Sequence, residues 1–185
     1  MTKKKNPNKN TYVKCICCGG CCRVPVVPVT HKDLKRLIKF TGMKAELIVR
    51  FCSSSEMEYD AESGLWIKMR GKKFAMVLRK KSQGCLFQTP QRSCSAYEAR
   101  PQTCRTFPYS IETHEDENVE ITINEVYDCS AAPCKESDVD TYTLLSDSLN
   151  ETVEDAEYHR LVNRWNKSEQ NGGTKDFLKF IGASK

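Results

Sequence analysis

Cys15-Ile-Cys-Cys18-Gly-Gly-Cys21-Cys22-Arg23 places Cys15, Cys18, Cys21 and Cys22 within eight residues, and this stretch decides how the rest of the chain must fold. A thiolate ligand has to reach its metal at about 2.3 Å, so cysteines closely spaced around a turn are what a metal centre requires. Gly19 and Gly20 let the backbone bend sharply enough for the thiols to converge. The run opens like a bacterial ferredoxin signature, but the further cysteine three residues on and the proline after it are missing. Cys22 adjoins Cys21, and neighbours do not easily face one ion, so Cys22 reads as a ligand to a second metal or a bridge between two. Cys17 reads as a bystander.

Working outward, Cys85, Cys94 and Cys104 are too far apart for a local knuckle, yet loops that fold back bring such residues to one centre. Cys129 and Cys134 add two more candidates. Of the eleven cysteines, Cys52 follows Phe51 at the end of an apolar run and reads as a buried structural thiol. Nine remain, enough for two four-coordinate sites or one multinuclear site. Thiolates without imidazole or carboxylate partners favour zinc or iron–sulfur over magnesium, calcium or manganese. His31, His114 and His159 read as solvated surface residues rather than ligands.

The formal charge of +5 is a small difference between large regional charges. Residues 1–111 hold 22 lysines and arginines against 7 acids, residues 112–157 hold 1 against 15, and residues 158–185 hold 6 against 2. The basic body is partly a counter-field for its own thiolates, since four of them on a divalent ion leave a double negative charge. The N-terminus is polar, with no apolar secretory core, and no run of about 18 apolar residues suggests a membrane span. A cytoplasmic location follows as the expectation, and there dense cysteines bind metal more often than they pair.

The pattern along the chain predicts a small α+β domain with cysteine-rich loops, short hairpins and a long C-terminal helix. Residues 1–11 form a disordered basic tail. Thr30 with Asp33 predicts a capped helix whose apolar face is Leu34, Leu37 and Ile38, stopped by Gly42. A short helix is expected over 44–51. Hairpins are expected around Arg70-Gly71-Lys72-Lys73 and between 106–112 and 119–127, the second with an acidic turn from His114 to Asn118. Pro101 suits the first turn of a short helix ending near Cys104. Ser137 reads as the cap of a long helix with a stripe of Val139, Tyr142, Leu145, Leu149, Val153 and Ala156, then Leu161, Val162 and Trp165. Gly172-Gly173 would end it, and a last helix with Phe177, Leu178 and Ile181 would dock on the body.

Three motifs in order, the Cys15 to Arg23 stretch, Gly84-Cys85-Leu-Phe87, and Cys94-Ser-Ala-Tyr97-Glu-Ala-Arg100-Pro101-Gln-Thr-Cys104-Arg105-Thr-Phe107-Pro108, resemble the YkgJ-type cysteine cluster family. That family is also called the zinc- or iron-chelating CxxCxxCC domain and includes the flagellin lysine N-methylase. The resemblance covers about residues 12–134, leaving 135–185 as a helical extension. It implies a zinc, iron or iron–sulfur centre held by Cys15, Cys18, Cys21, Cys22, Cys85, Cys94 and Cys104, with Cys129 and Cys134 completing the set. Arg23, Arg100 and Arg105 stand beside these ligands, where fixed cations lower thiol pKa and offset site charge.

Three functions compete. The first is a metal-binding protein whose centre is structural if closed and chemical if a position stays open. The second, implied by the resemblance, is lysine methylation of a protein substrate from S-adenosylmethionine. Against it, the chain has no G-x-G-x-x-G loop and no C-x3-C-x2-C run. The third is nucleic-acid binding through Lys3, Lys4, Lys5 and Lys9 with Lys68, Arg70, Lys72, Lys73, Arg79, Lys80 and Lys81. Only Trp66 and Phe74 are interleaved there as stacking aromatics, so a solvated face is the favoured reading of that patch.

Overall fold

Thr30 Oγ1 accepts the main-chain N–H of Asp33 at 3.1 Å, and Asp33 Oδ2 accepts that of Thr30 at 2.8 Å. This reciprocal cap starts a helix whose face of Leu34 and Leu37 is fully buried. The structure is a computed structural model that describes residues 12–14, 19–23, 26–56, 66–82, 84–114, 118–123, 132–168 and 172–183. The basic tail, Cys15, Cys17, Cys18, Cys129 and the centre of the acidic turn lie outside the described residues.

In chain order the elements are β1 (Val13–Lys14), α1 (Gly20–Arg23), α2 (His31–Thr41), α3 (Ala45–Ile48), β2 (Val49–Ser53), β3 (Ile67–Met69), β4 (Lys72–Leu78), β5 (Lys80–Lys81) and β6 (Gly84–Cys85). Then come α4 (Gln102–Thr106), β7 (Tyr109–Thr113), β8 (Val119–Ile123), β9 (Ala132–Pro133), α5 (Thr141–Lys167) and α6 (Thr174–Phe180). All strand pairs are antiparallel. The central sheet runs β2-β4-β3, with β1-β9, β5-β6 and β7-β8 as two-stranded pairs. This is the α+β architecture expected.

Gly42 adopts φ 69° and caps α2 in the left-handed conformation, as its position implies. Met69 pairs with Lys72, so Arg70 and Gly71 form a two-residue turn with φ 47° and 76°. Both values are positive, which matches the right-handed twist of the strands the turn joins.

Three local expectations are corrected. The helix expected over 44–51 stops at Ile48, because Val49 to Ser53 pair with Phe74 to Leu78 and sheet pairing overrides local propensity. The long helix is capped by Asp140, whose Oδ1 accepts the Thr143 N–H at 2.9 Å, whereas Ser137 lies in a single turn of tighter helix from Glu136 to Asp138. It ends at Lys167, and Gly172-Gly173 instead lead into α6.

The face of α5 differs more deeply from the pattern. Tyr142, Leu149 and Val153 are 83%, 68% and 54% exposed, while Leu144, Glu154, Tyr158, Val162 and Trp165 are buried. The inward stripe therefore starts at Leu144 and carries Glu151, Glu154 and Asp155 in its middle, which an apolar count cannot detect. Packing explains this: the first half of α5 lies on α4, and its polar side chains meet polar partners there.

The second half closes the core. Leu34, Leu37, Ile48, Ile67 and Met76 share one cluster with Tyr158, Val162, Trp165, Phe177 and Leu178. Trp165 stands edge-on to Phe177 at 5.3 Å and donates Nε1–H to the Lys68 carbonyl at 2.8 Å. Burying each such large side chain stabilises by roughly 1.5–3 kcal/mol, so α5 and α6 are part of the fold's own core. His31 is buried and stacks on Tyr158 at 6.0 Å, not solvated as expected, because α5 covers the start of α2. No helix among the described residues is long and apolar enough to cross a membrane.

Candidate metal centre

Cys21 and Cys22 ride on the single turn α1, fixed by the Cys22 N–H donating to the Gly19 carbonyl at 3.2 Å. Gly19 there has φ 73°, a conformation glycine tolerates. Cys85 lies on β6 directly opposite Lys80 on β5. The chain then doubles back. The Gln88 N–H donates to Cys85 O at 3.0 Å, Gln88 bridges to Cys94, and the Ser95 N–H returns to Phe87 O at 2.9 Å. This reversal turns a nine-residue separation into proximity. Cys104 sits in α4, which starts after Pro101, one position later than a first-turn proline would place it.

Five thiols from these three segments share one electrostatic neighbourhood. The charges of Cys21, Cys85 and Cys94 all act on Cys22, and the same three act on Cys104. The hydrogen bond from Cys22 holds the Cys21 thiol down at about 6 and pushes Cys22 up. Burial pushes up Cys85, Cys94 and Cys104, which are desolvated and face one another's charge. A bound cation is what makes such a set of thiolates favourable, because it replaces mutual repulsion with coordination.

Arg100 lies close enough to Cys21 and Cys94 to favour their thiolates, and its guanidinium also covers the Tyr97 ring at 3.7 Å. Arg105 is turned to the carbonyls of Glu98 and Arg100 and stands 3.9 Å from Asp147. Arg23 is exposed at the end of α1. Lys80, which the sequence pattern assigns to the basic hairpin, is a neighbour of Cys85 and Cys22 instead. Its place is legible only from the β5-β6 register.

The other cysteines lie apart. Cys134 packs beside Tyr12, Ile121 and Leu144, and its N–H donates to Tyr12 O at 3.1 Å. Because Lys14 pairs with Ala132, this strand pair brings the chain just before Cys15 alongside Cys134. Cys52 is fully buried on β2 with Trp66, Ala75 and Val77. Among the described residues no three Cys, His, Asp or Glu side chains converge tightly enough to hold an ion, and Cys15 and Cys18 are outside that set.

The CxxCxxCC family, "Putative zinc- or iron-chelating domain", matches residues 14–135, from the strand before Cys15 to the residue after Cys134. The chain belongs to this family. No curated protein and no solved structure matches it. The CxxCxxCC domain is thus a metal-chelating one, and the all-thiol chemistry of the gathered residues suits zinc or iron.

Two cysteines of this CxxCxxCC domain border a cavity of about 530 Å³. Cys21 and Cys104 line it on one side and Glu151, Glu154, Asp155 and Tyr158 of α5 on another. Glu151 accepts the hydroxyls of Thr103 and Thr106 at 2.9 and 3.0 Å, so α5 grips the helix that carries Cys104. Sequence reasoning missed these α5 residues because they fall outside the cysteine motifs. The acidic i, i+3, i+4 stripe of Glu151, Glu154 and Asp155 within a long helix was the signal available.

Proposed function

We propose that the protein holds zinc or an iron–sulfur centre through Cys15, Cys18, Cys21, Cys22, Cys85, Cys94 and Cys104, with Cys129 and Cys134 as further ligands. The observation that carries this reading is the gathering of five thiols from three distant segments into one field with Arg100 and Lys80 beside it. When bound, zinc would supply a closed structural centre or a Lewis acid, and an iron–sulfur cluster would supply electron transfer. Arg100 and Lys80 offset the thiolate charge.

Because Cys21 and Cys104 also line the cavity, we read the centre as facing a space where another molecule can bind. A cytoplasmic setting, in which the thiols stay reduced, is part of this proposal. Base stacking is the less favoured reading, since Trp66 is packed in the cluster around Cys52. Metal content of single Cys→Ser variants tests the assignment. Cys85→Ser and Cys104→Ser should each lose at least half of the bound metal, while Cys52→Ser keeps it; equal retention in all three defeats the ligand assignment.

A further inference from the structure

Three polar atoms at the cavity between α4 and α5 are buried and lack a hydrogen-bond partner among the described residues: Glu154 Oε2, Gln102 Oε1 and the Tyr158 hydroxyl. Their residues are 9%, 5% and 3% exposed, and all three line the cavity. Two of the three atoms are acceptors only. A buried acceptor without a donor is costly, and folded proteins rarely keep one without a reason such as a ligand.

Charge points the same way. Asp33, Glu151, Glu154 and Asp155 line the cavity, and among the described residues no lysine or arginine does. Arg36 reaches Glu154 Oε1 at 2.5 Å and also Asp33, so it answers two of the four from behind. Glu151 is satisfied by threonine hydroxyls, which carry no charge. The Asp155 carboxylate has neither a hydrogen bond nor an ion pair among the described residues. The cavity is therefore short of both donors and positive charge.

The walls select the kind of cation. Val27, Val29 and Met76 supply apolar surface, and Phe107, Tyr109 and Tyr158 supply rings. Aromatic faces and alkyl walls suit an organic cation that leaves its water behind, whereas a hydrated metal ion requires converging oxygens. No three carboxylates converge in that way among the described residues. A volume of about 530 Å³ falls within the roughly 300–1,000 Å³ of small-molecule sites.

We propose that this cavity binds a primary alkylammonium group, its N–H donors met by Glu154 Oε2 and Gln102 Oε1 and its charge by Asp155. The site stands beside the thiols but is built from other side chains, so it does not rest on which metal they hold. A free amine and the side-chain ammonium of a peptide present the same donors.

The test is calorimetric titration of the full chain, as purified with its metal, at constant ionic strength and neutral pH. The probes are butylamine, butanol, magnesium chloride and a short lysine-containing peptide. Saturable binding of butylamine or the peptide, with butanol and magnesium silent, is the expected result. Whichever of the two binds more tightly identifies the source. Glu154→Gln and Asp155→Asn should each weaken binding about tenfold, the loss of one charged hydrogen bond. Asp155→Asn breaks no contact, so it stays informative if Glu154→Gln fails to fold. Absence of saturable amine binding, equal binding of butanol or magnesium, or unchanged affinity in folded Asp155→Asn overturns the proposal. Metal content measured on the same samples reports separately on the metal reading.

Discussion

The main-chain N–H of Gln102 donates to Oδ1 of Asp33 at 3.0 Å, which ties the start of α4, two residues before Cys104, to the capped N-terminus of α2. Asp33 also accepts from Thr30 and pairs with Arg36, so one 2%-exposed carboxylate serves a cap, an ion pair and a long-range bond.

Asp33→Ala should destabilise the fold by about 3 kcal/mol, because it removes the cap and leaves Arg36 and the Gln102 N–H short of a partner. Thr30→Ala removes the hydroxyl half of the cap and should cost about 1 kcal/mol. Urea unfolding measures both. Amide exchange at Gln102 should quicken in Asp33→Ala and stay slow in Thr30→Ala, which separates the long-range bond from the cap.

Much of this was legible in the chain. The α2 cap, its Gly42 stop, the Arg70-Gly71 turn and the docking helix with Phe177 and Leu178 all depend on neighbouring residues, and local chemistry suffices for them. That Cys21, Cys22, Cys85, Cys94 and Cys104 belong together was an implication of the family resemblance, and the device that returns Cys94 to Cys85 is a bridge no motif encodes. Long-range context was not legible. Val49 to Phe51 look helical until β4 pairs with them, Lys80 looks like a surface cation until its register places it opposite Cys85, and His31 looks exposed until α5 covers it. The stripe on α5 misled for a related reason. Its inward face is polar where it meets α4 and the cavity, so hydrophobic periodicity marked the outward face there.

Trp165 joins three parts of the core, and Trp165→Ala should cost roughly 3–5 kcal/mol through the cavity it leaves. Trp165→Phe keeps most of the packing but leaves the Lys68 carbonyl without its donor, a loss of about 1–3 kcal/mol. Urea midpoints of the two variants against the native chain check the order.

Burial, and then the charges of Glu151, Asp33 and Glu154, push the Asp155 carboxyl up to about 6. The folded chain then holds a proton that the unfolded chain releases near pH 4, roughly the ordinary aspartate value. Stability from this group is therefore lost as pH rises from about 4 to about 6, the reverse of a salt-bridged carboxylate. Asp155→Asn should be more stable than the native chain by about 1 kcal/mol above pH 6, allowing for solvent screening, with the difference gone by about pH 4. Unfolding midpoints of both proteins across that range decide it. A constant difference would mean that the carboxyl titrates normally.

The central claim is that the clustered thiols hold metal. The most direct measurement is elemental analysis with a visible spectrum on the full chain purified without oxygen. At least one equivalent of zinc or iron per chain is predicted: colourless if zinc, with broad sulfur-to-iron absorption if an iron–sulfur centre. A folded, fully reduced protein carrying neither metal above trace amounts would contradict the account.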